Sequence, residues 1–265
     1  MKKDTGRLIS KEELTDGIWS IWFKTAIAAD AVPGQFILVY TGDTAHLLGR
    51  PICICEVNDK KDELRIVFRA AGFGTADFTY LPYNAQVQLL GPLGNGYPSD
   101  ACRDKKNIVL LGGGIGAPSL LELAKAINRN AANDVSCSAV LGYRNAGQQH
   151  FLSEDFREAG ADVIIATDDG SEGIKGTVID ALNITGTKPD IIFACGPMPM
   201  LRAIKLYAGE RQIKAYISLE ERMACGVGAC LGCVVRTRTA DAHSHVNNAR
   251  ICTEGPVFEA GEVLI

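Results

Sequence analysis

The chain has 265 residues, 47% of them hydrophobic and 22% charged, with a formal net charge of −4. That length suits about two domains and a small appendage, and that composition lets each bury a core. No basic block offers a footprint for nucleic acid, and no run of about 18 apolar residues offers a membrane span.

The opening stretch Met1–Ser10 carries charge but no apolar run of signal-peptide length. Without an export signal the nine cysteines read as reduced thiols or ligands rather than as disulfides, and a cytoplasmic location is expected. Over the first hundred residues, Ile18–Phe23, Gln35–Tyr40, Leu64–Phe68 and Gln86–Leu90 are rich in β-branched and aromatic side chains. Pro33-Gly34, Asn58-Asp59 and Leu81-Pro82 separate them as turns. With no helical period competing, residues 1–100 are expected to form an antiparallel barrel or sandwich.

The texture changes at about 100–107. Ile108–Leu111 is continuously apolar, as a strand covered on both faces must be. It runs through Gly112-Gly-Gly-Ile-Gly116 into a helical segment with Pro118 in its first turn, where proline is tolerated. Further apolar strands at Ser138–Leu141, Val163–Ala166 and Ile191–Ala194 alternate with helical stretches Leu152–Ala159, Val178–Leu182 and Met200–Ala208. This alternation predicts a parallel α/β sheet over residues 101–217. A last strand, Lys214–Leu219, leads into a cysteine-bearing module, 218–265, with a hairpin of Val234–Thr237 against a partner near Ile251.

Three glycine-bearing segments stand where strands of an open sheet end and ligands bind. Gly112, Gly113, Gly114 and Gly116 can hold a pyrophosphate at a helix start, although the third glycine of the dinucleotide fingerprint is replaced by Pro118 and Ser119. A plain strand-to-helix turn would use the same residues. Asp168 and Asp169 can accept hydrogen bonds from an adenine ribose and would repel a 2′-phosphate, which favours NAD over NADP; the alternative is a pair of turn and cap residues. At Cys195-Gly196 the bare glycine admits a flat nicotinamide ring, whereas Cys195 alone could be a small core thiol. In the first hundred residues, Arg50-Pro51-Ile52-Cys53, Gly72-Phe-Gly74-Thr75 and Gly91-Pro-Leu-Gly94 add a forked phosphate donor and an anion-binding helix start.

Cys225, Cys230, Cys233 and Cys252 follow the spacing C-x4-C-x2-C…C, the plant-type ligand set of a [2Fe–2S] cluster. Gly226, Gly228 and Gly232 let the intervening backbone wrap round such a core. Structural zinc usually pairs two close-spaced knuckles, and only Cys230/Cys233 forms one, yet a zinc-stapled NAD-binding protein without redox work stays open on spacing alone.

In their order along the chain, the Arg-Pro-x-Cys strand, Gly-x-Gly-Thr turn, Gly-Pro-x-Gly segment, glycine loop and Cys-Gly-Pro-x-Pro-Met segment resemble the ferredoxin–NADP reductase superfamily. With the cysteine motif and the tail Cys252–Phe258, the chain is similar to the electron-transfer subunits of class 1B dihydroorotate dehydrogenases from about residue 8 to 265. The resemblance implies an FAD-binding barrel, a nicotinamide-nucleotide domain and a [2Fe–2S] module. It places Arg50, Pro51, Ile52 and Cys53 along FAD, Val67, Phe68 and Arg69 at its border, and Gly74 and Thr75 on its pyrophosphate. Gly112–Gly116, Asp168, Asp169, Cys195 and Gly196 would form the nicotinamide site, with Cys53 and Cys195 nearest the reacting rings. Cys225, Cys230, Cys233 and Cys252 would ligate the cluster.

It further implies an FMN-containing dihydroorotate dehydrogenase catalytic subunit as partner, in a heterotetramer of two pairs, passing electrons through [2Fe–2S] and FAD to NAD+ for pyrimidine biosynthesis. The flavin subunits of NADH-dependent ferredoxin–NADP oxidoreductases and of sulfhydrogenases share the same parts and stand as the alternative. Two departures mark this sequence: Cys53 where the family usually has serine, and a long stretch between Cys233 and Cys252 holding His243 and His245, expected to be a solvated hairpin tip.

Overall fold

The computed structural model describes residues 1–42, 46–130, 135–148, 151–240 and 245–265. Six strands close into an antiparallel barrel: β1 (Lys2–Thr15), β2 (Ile18–Lys24), β3 (Phe36–Val39), β4 (Arg50–Val57), β5 (Glu63–Arg69) and β6 (Gln86–Leu93), in the order β1-β2-β5-β4-β3-β6. Side chains alternate across each strand, so Leu64, Ile66 and Phe68 of β5 fill the interior with Ile21, Phe23, Ile37 and Leu89. Helix α1 (Phe73–Tyr80) plugs one end, its Phe78 meeting Phe68 edge-on with centroids 5.7 Å apart. Burying a phenylalanine this way contributes about 1.5–3 kcal/mol. Closure removes the free sheet edges that a sandwich would leave.

The second layer system is a seven-stranded sheet in the order β10-β9-β8-β7-β11-β12-β15. Its strands are β7 (Asn107–Gly113), β8 (Ser136–Tyr143), β9 (Asp162–Thr167), β10 (Ile174–Lys175), β11 (Ile191–Cys195), β12 (Lys214–Ser218) and β15 (Val257–Glu259). The first six are parallel; β15 runs antiparallel to β12. Helices α2 (Pro118–Asn130) and α3 (Ser153–Glu158) cover one face, and α4 (Val178–Thr185) and α5 (Met198–Glu210) cover the other. The sandwiched strands β7 and β11 are buried almost throughout, which explains their unbroken apolar runs. The predicted hairpin is β13 (Val234–Arg236) paired with β14 (Asn248–Arg250), Val234 opposite Arg250. His243 lies outside the described residues; His245 is exposed, in the left-handed region at φ 56°. No helix among the described residues is long and apolar enough to cross a membrane.

The outer faces of β4 and β5 pack on α2 and α3 through polar contacts. Arg65, 6% exposed, donates to Ser20 Oγ at 2.8 Å and pairs with Glu56 at 3.2 Å and with Asp155. Lys125 reaches Glu56 at 2.5 Å, and the Glu122 carboxylate accepts the Val57 N–H at 3.0 Å. The C-terminal module is fixed to the barrel as well. The Asn95 N–H donates to the Gly255 carbonyl at 2.6 Å, and its side-chain amide to the Glu254 carbonyl at 3.0 Å. Gly94 (φ 73°) leaves this approach open, since a Cβ there would stand 2.6 Å from the same Gly255 oxygen.

Candidate functional site

Strand order reverses between β7 and β11, whose following helices leave to opposite faces of the sheet. Such a switch point opens a crevice at the carboxyl ends of the strands. Here Cys195 lies opposite Gly112 in register, and the two strand ends are in backbone contact. A Cβ on Gly116 would stand 2.5 Å from the Cys195 carbonyl oxygen, and one on Gly196 would stand 3.0 Å from Gly113 Cα. Only glycines permit this approach. A cavity of about 780 Å³ opens above it, bordered by Gly113, Gly114, Gly116, Asp168, Cys195, Gly196 and Met200.

Of the four predicted loop glycines, Gly112 lies beneath the cavity instead of on it, where a Cβ would press 3.0 Å from that of Ala117. Its smallness serves helix-on-strand packing. The acidic pair also divides. Asp168 lines the cavity. Asp169 closes a turn, accepting from the Ser171 hydroxyl at 2.6 Å and its N–H at 2.9 Å, and those bonds hold its carboxyl below the usual range.

Deeper in, Cys195 and Cys53 meet at the seam between sheet and barrel. Burial pushes the Cys195 thiol up to about 11, opposed by hydrogen bonds with Ser119 and Ser218. Burial drives Cys53 higher still, helped by the nearby Cys195, whose ionisation would repel that of Cys53, and by the Glu220 carboxylate. Both sulfurs are therefore neutral thiols at physiological pH. Tyr97 shares this seam, its phenol raised by burial and by Cys195. Tyr97, Ser119, Ser218 and Glu220 were not singled out from sequence. Ser218 ends the last parallel strand and Glu220 lies two residues beyond it, so the strand-end rule that flagged Asp168 could have found them. Tyr97 sits in an irregular segment and carries no such signal.

In the barrel, the Arg50 guanidinium lies over the start of α1, and a Cβ on Gly74 would stand 2.1 Å from its Nε. Arg50 also donates to the Leu48 carbonyl at 2.6 Å. A forked cation beside the unpaired N–H groups of a helix start is a fit for a phosphate diester. The Thr75 hydroxyl is engaged within its own turn, accepting from Ala71 N at 3.1 Å and Gly72 N at 3.2 Å. Pro51 is half-buried, while Ile52, Val67 and Phe68 are each buried. Phe68 points into the barrel core and Val67 toward the sheet domain, so what they can offer a ligand is main chain. Arg69, beyond them, is exposed at the cavity rim.

The cysteines of the C-terminal module stand two and two. Cys225 accepts from the backbone of Ala229 at 3.3 Å and Cys230 at 3.4 Å. The N–H of Val227, then those of Cys230 and Ala229 with the Cys230 thiol, draw Cys225 down to about 6. Cys233 and Cys252 are buried; burial first, then the hydrogen bond that the Cys252 thiol shares with Cys233, raises Cys252 to about 11. Negative charge on Cys225 acts on Cys252, linking the two pairs. Gly226 (φ 67°) and Gly228 (φ 82°) turn the loop between them. Among the described residues no three or more His, Cys, Asp or Glu side chains gather round one metal ion. The structure thus brings Cys225 to Cys230 and Cys233 to Cys252, and does not gather the four predicted ligands into one group. Across the loop, Arg250 ties Glu254 to the Gly228 carbonyl.

The family described as the iron–sulfur cluster binding domain of dihydroorotate dehydrogenase B matches residues 220–264. The dihydroorotate dehydrogenase B (NAD(+)) electron transfer subunit of Lysinibacillus sphaericus is 36% identical over 266 residues, covering 100% of both chains. That of Bacillus velezensis is 38% identical over 267 residues, again with 100% of both covered. Among solved structures, an NADH-dependent reduced ferredoxin-NADP oxidoreductase studied for flavin-based electron bifurcation is 25% identical at TM-score 0.84, over 98% of this chain and 89% of that one. A ferredoxin NADP+ reductase from Neisseria gonorrhoeae, 13% identical at TM-score 0.67 over 84% and 94%, shares the fold.

Proposed function

The chain belongs to the family of dihydroorotate dehydrogenase B electron transfer subunits, and from that premise we propose that it carries electrons from a separate FMN-containing, dihydroorotate-oxidising subunit to NAD+. One observation carries the reading: the same chain holds the Arg50 guanidinium against Gly74, a switch-point crevice at Gly116 and Cys195, and paired thiols at 225–252. The ferredoxin–NADP oxidoreductase and sulfhydrogenase subunits weigh less, since relatives at 36–38% identity span the whole chain.

FAD exchanges hydride equivalents with nicotinamide and single electrons with an iron–sulfur centre. The chain's own residues supply position and dryness. Arg50 and the first N–H groups of α1 hold the flavin's phosphates. Gly113, Gly116 and Gly196 keep side chains out of the crevice, so that a nicotinamide can approach the seam where Cys53 lies. Neutral thiols at Cys53 and Cys195 exclude water without bringing charge to the ring edge. Asp168 receives the adenine ribose and disfavours a 2′-phosphate. Cys225, Cys230, Cys233 and Cys252 ligate the cluster. We divide the chain accordingly at 1–100, 101–217 and 218–265, the last unit stitched to the sheet by β15.

The partner docks beside the cluster loop, where Val227, Leu231 and Val234 are 38%, 62% and 41% exposed. Apolar side chains grouped there mark a protein contact, and two such pairs would form the heterotetramer. The test is reconstitution. The chain alone should reduce a dye with NADH and show flavin and [2Fe–2S] absorption, while orotate formation with NAD+ should need the second subunit. NAD-linked orotate formation by the chain alone would overturn this division.

A further inference from the structure

Phe73, the first residue of α1, is 82% exposed. A phenylalanine so fully in water at a helix start buries nothing of the barrel. Its ring has one neighbour of its own kind. The His46 imidazole stands nearly parallel to it, at 18°, with centroids 6.2 Å apart. His46 Nδ1 stands 3.7 Å from the carboxylate of Asp77, one turn further along α1. Two flat rings gripping a third need about 7 Å between them, twice a carbon–carbon contact of roughly 3.5 Å. The 6.2 Å between centroids is the spacing of a direct aromatic pair, so the rings would have to part to take a third between them.

The position of this pair matters as much as its spacing. Phe73 precedes Gly74, on which the Arg50 guanidinium rests, and His46 precedes Arg50 by four residues. Phosphate cradle and ring pair thus share one helix start, about a residue's length apart. We propose that Phe73 and His46 hold the adenine ring of the dinucleotide flavin, so that they, and not the contacts to the isoalloxazine, make this site choose FAD over FMN. The assignment rests on the flavin-binding reading above. Asp77 is a positioning residue that fixes the imidazole plane.

Titration of the flavin-free full chain with FAD and, separately, with FMN tests this. Stacking of a base on an aromatic side chain is worth a loss of about 5- to 100-fold in affinity when the ring is removed. Phe73→Ala and His46→Ala should each weaken FAD by that factor and leave FMN within about twofold of wild type. Phe73→Trp and His46→Phe, which keep a flat ring, should restore FAD binding. Unchanged FAD affinity in both alanine variants would overturn the assignment, as would an equal loss for FMN. So would variants that keep FAD but lose the partner subunit, which would make the exposed ring a protein contact. A wild-type chain that takes up no flavin would overturn the functional reading along with this one.

Discussion

The guanidinium of Arg50 lies flat on Gly74, so close that a methyl group there would stand 2.1 Å from Nε and 2.5 Å from Nη2. β4 and α1 thereby present one cationic surface built from two sequence-distant segments. Gly74→Ala should push the guanidinium off the helix start, and Arg50→Ala should remove it. Each is expected to weaken FAD binding by about 10- to 100-fold, the worth of one charge-assisted contact. Because both changes break the same contact, the double variant should lose little more than either single one. Additive losses in a flavin titration would mean that the two residues act apart.

A second prediction concerns the crevice. Gly116→Ala places a Cβ 2.5 Å from the Cys195 carbonyl oxygen and 2.7 Å from Gly196 N, both backbone atoms that cannot swing aside. The glycine loop must shift, at a cost of about 1–3 kcal/mol. The expected result is a raised KM for NADH in dye reduction with flavin and cluster absorption intact. An unchanged KM would place the nicotinamide elsewhere.

Much of this was legible beforehand, and the exceptions have physical causes. The buried parallel strands announced themselves because both faces of β7 and β11 are apolar. The 14-residue β1 did not: only Gly6 and Leu8 are buried in it, and its polar remainder reads as loop. The barrel closes with it all the same, since β1 pairs with both β2 and β6. Cys225, Cys230, Cys233 and Cys252 were readable because cluster ligation constrains spacing along the chain. Tyr97, Ser119 and Glu220 converge on Cys53 and Cys195 only through tertiary packing, and no local pattern encodes that. The split between Asp168 and Asp169 likewise depends on where Ser171 turns back.

Stability should vary with pH through Glu122. Burial raises its carboxyl above the ordinary 4.5, against the opposing pull of the Val57 N–H and of Lys125 and Arg129. A carboxyl that binds its proton more tightly when folded contributes stability below 4.5, lost as pH rises through the folded value. Glu122→Gln keeps an acceptor for Val57 N without a charge to bury. Its unfolding free energy should therefore fall less than that of wild type between pH 4.5 and neutrality. Parallel curves for the two proteins in urea titrations would rule this out.

The last prediction separates the seam from the site. Arg65 contacts Ser20, Glu56 and Asp155 together, and it is nearly buried between barrel and sheet. Removing it leaves Glu56 only Lys125, and leaves Asp155 facing an emptied pocket. Arg65→Ala should cost about 3–5 kcal/mol, the usual penalty for stranding a buried partner. Arg65→Met, which refills the volume but not the charge, should cost nearly as much, because Asp155 loses its cation either way and Glu56 keeps only Lys125. Arg65→Met with Glu56→Gln and Asp155→Asn should recover most of it, since the stranded charges go with the cation. Arg65 of β5 pairs with Glu56, six residues along β4 from Arg50, so FAD affinity of the folded Arg65→Met protein should match wild type. A large loss of FAD affinity with normal stability would instead tie the seam directly to the flavin.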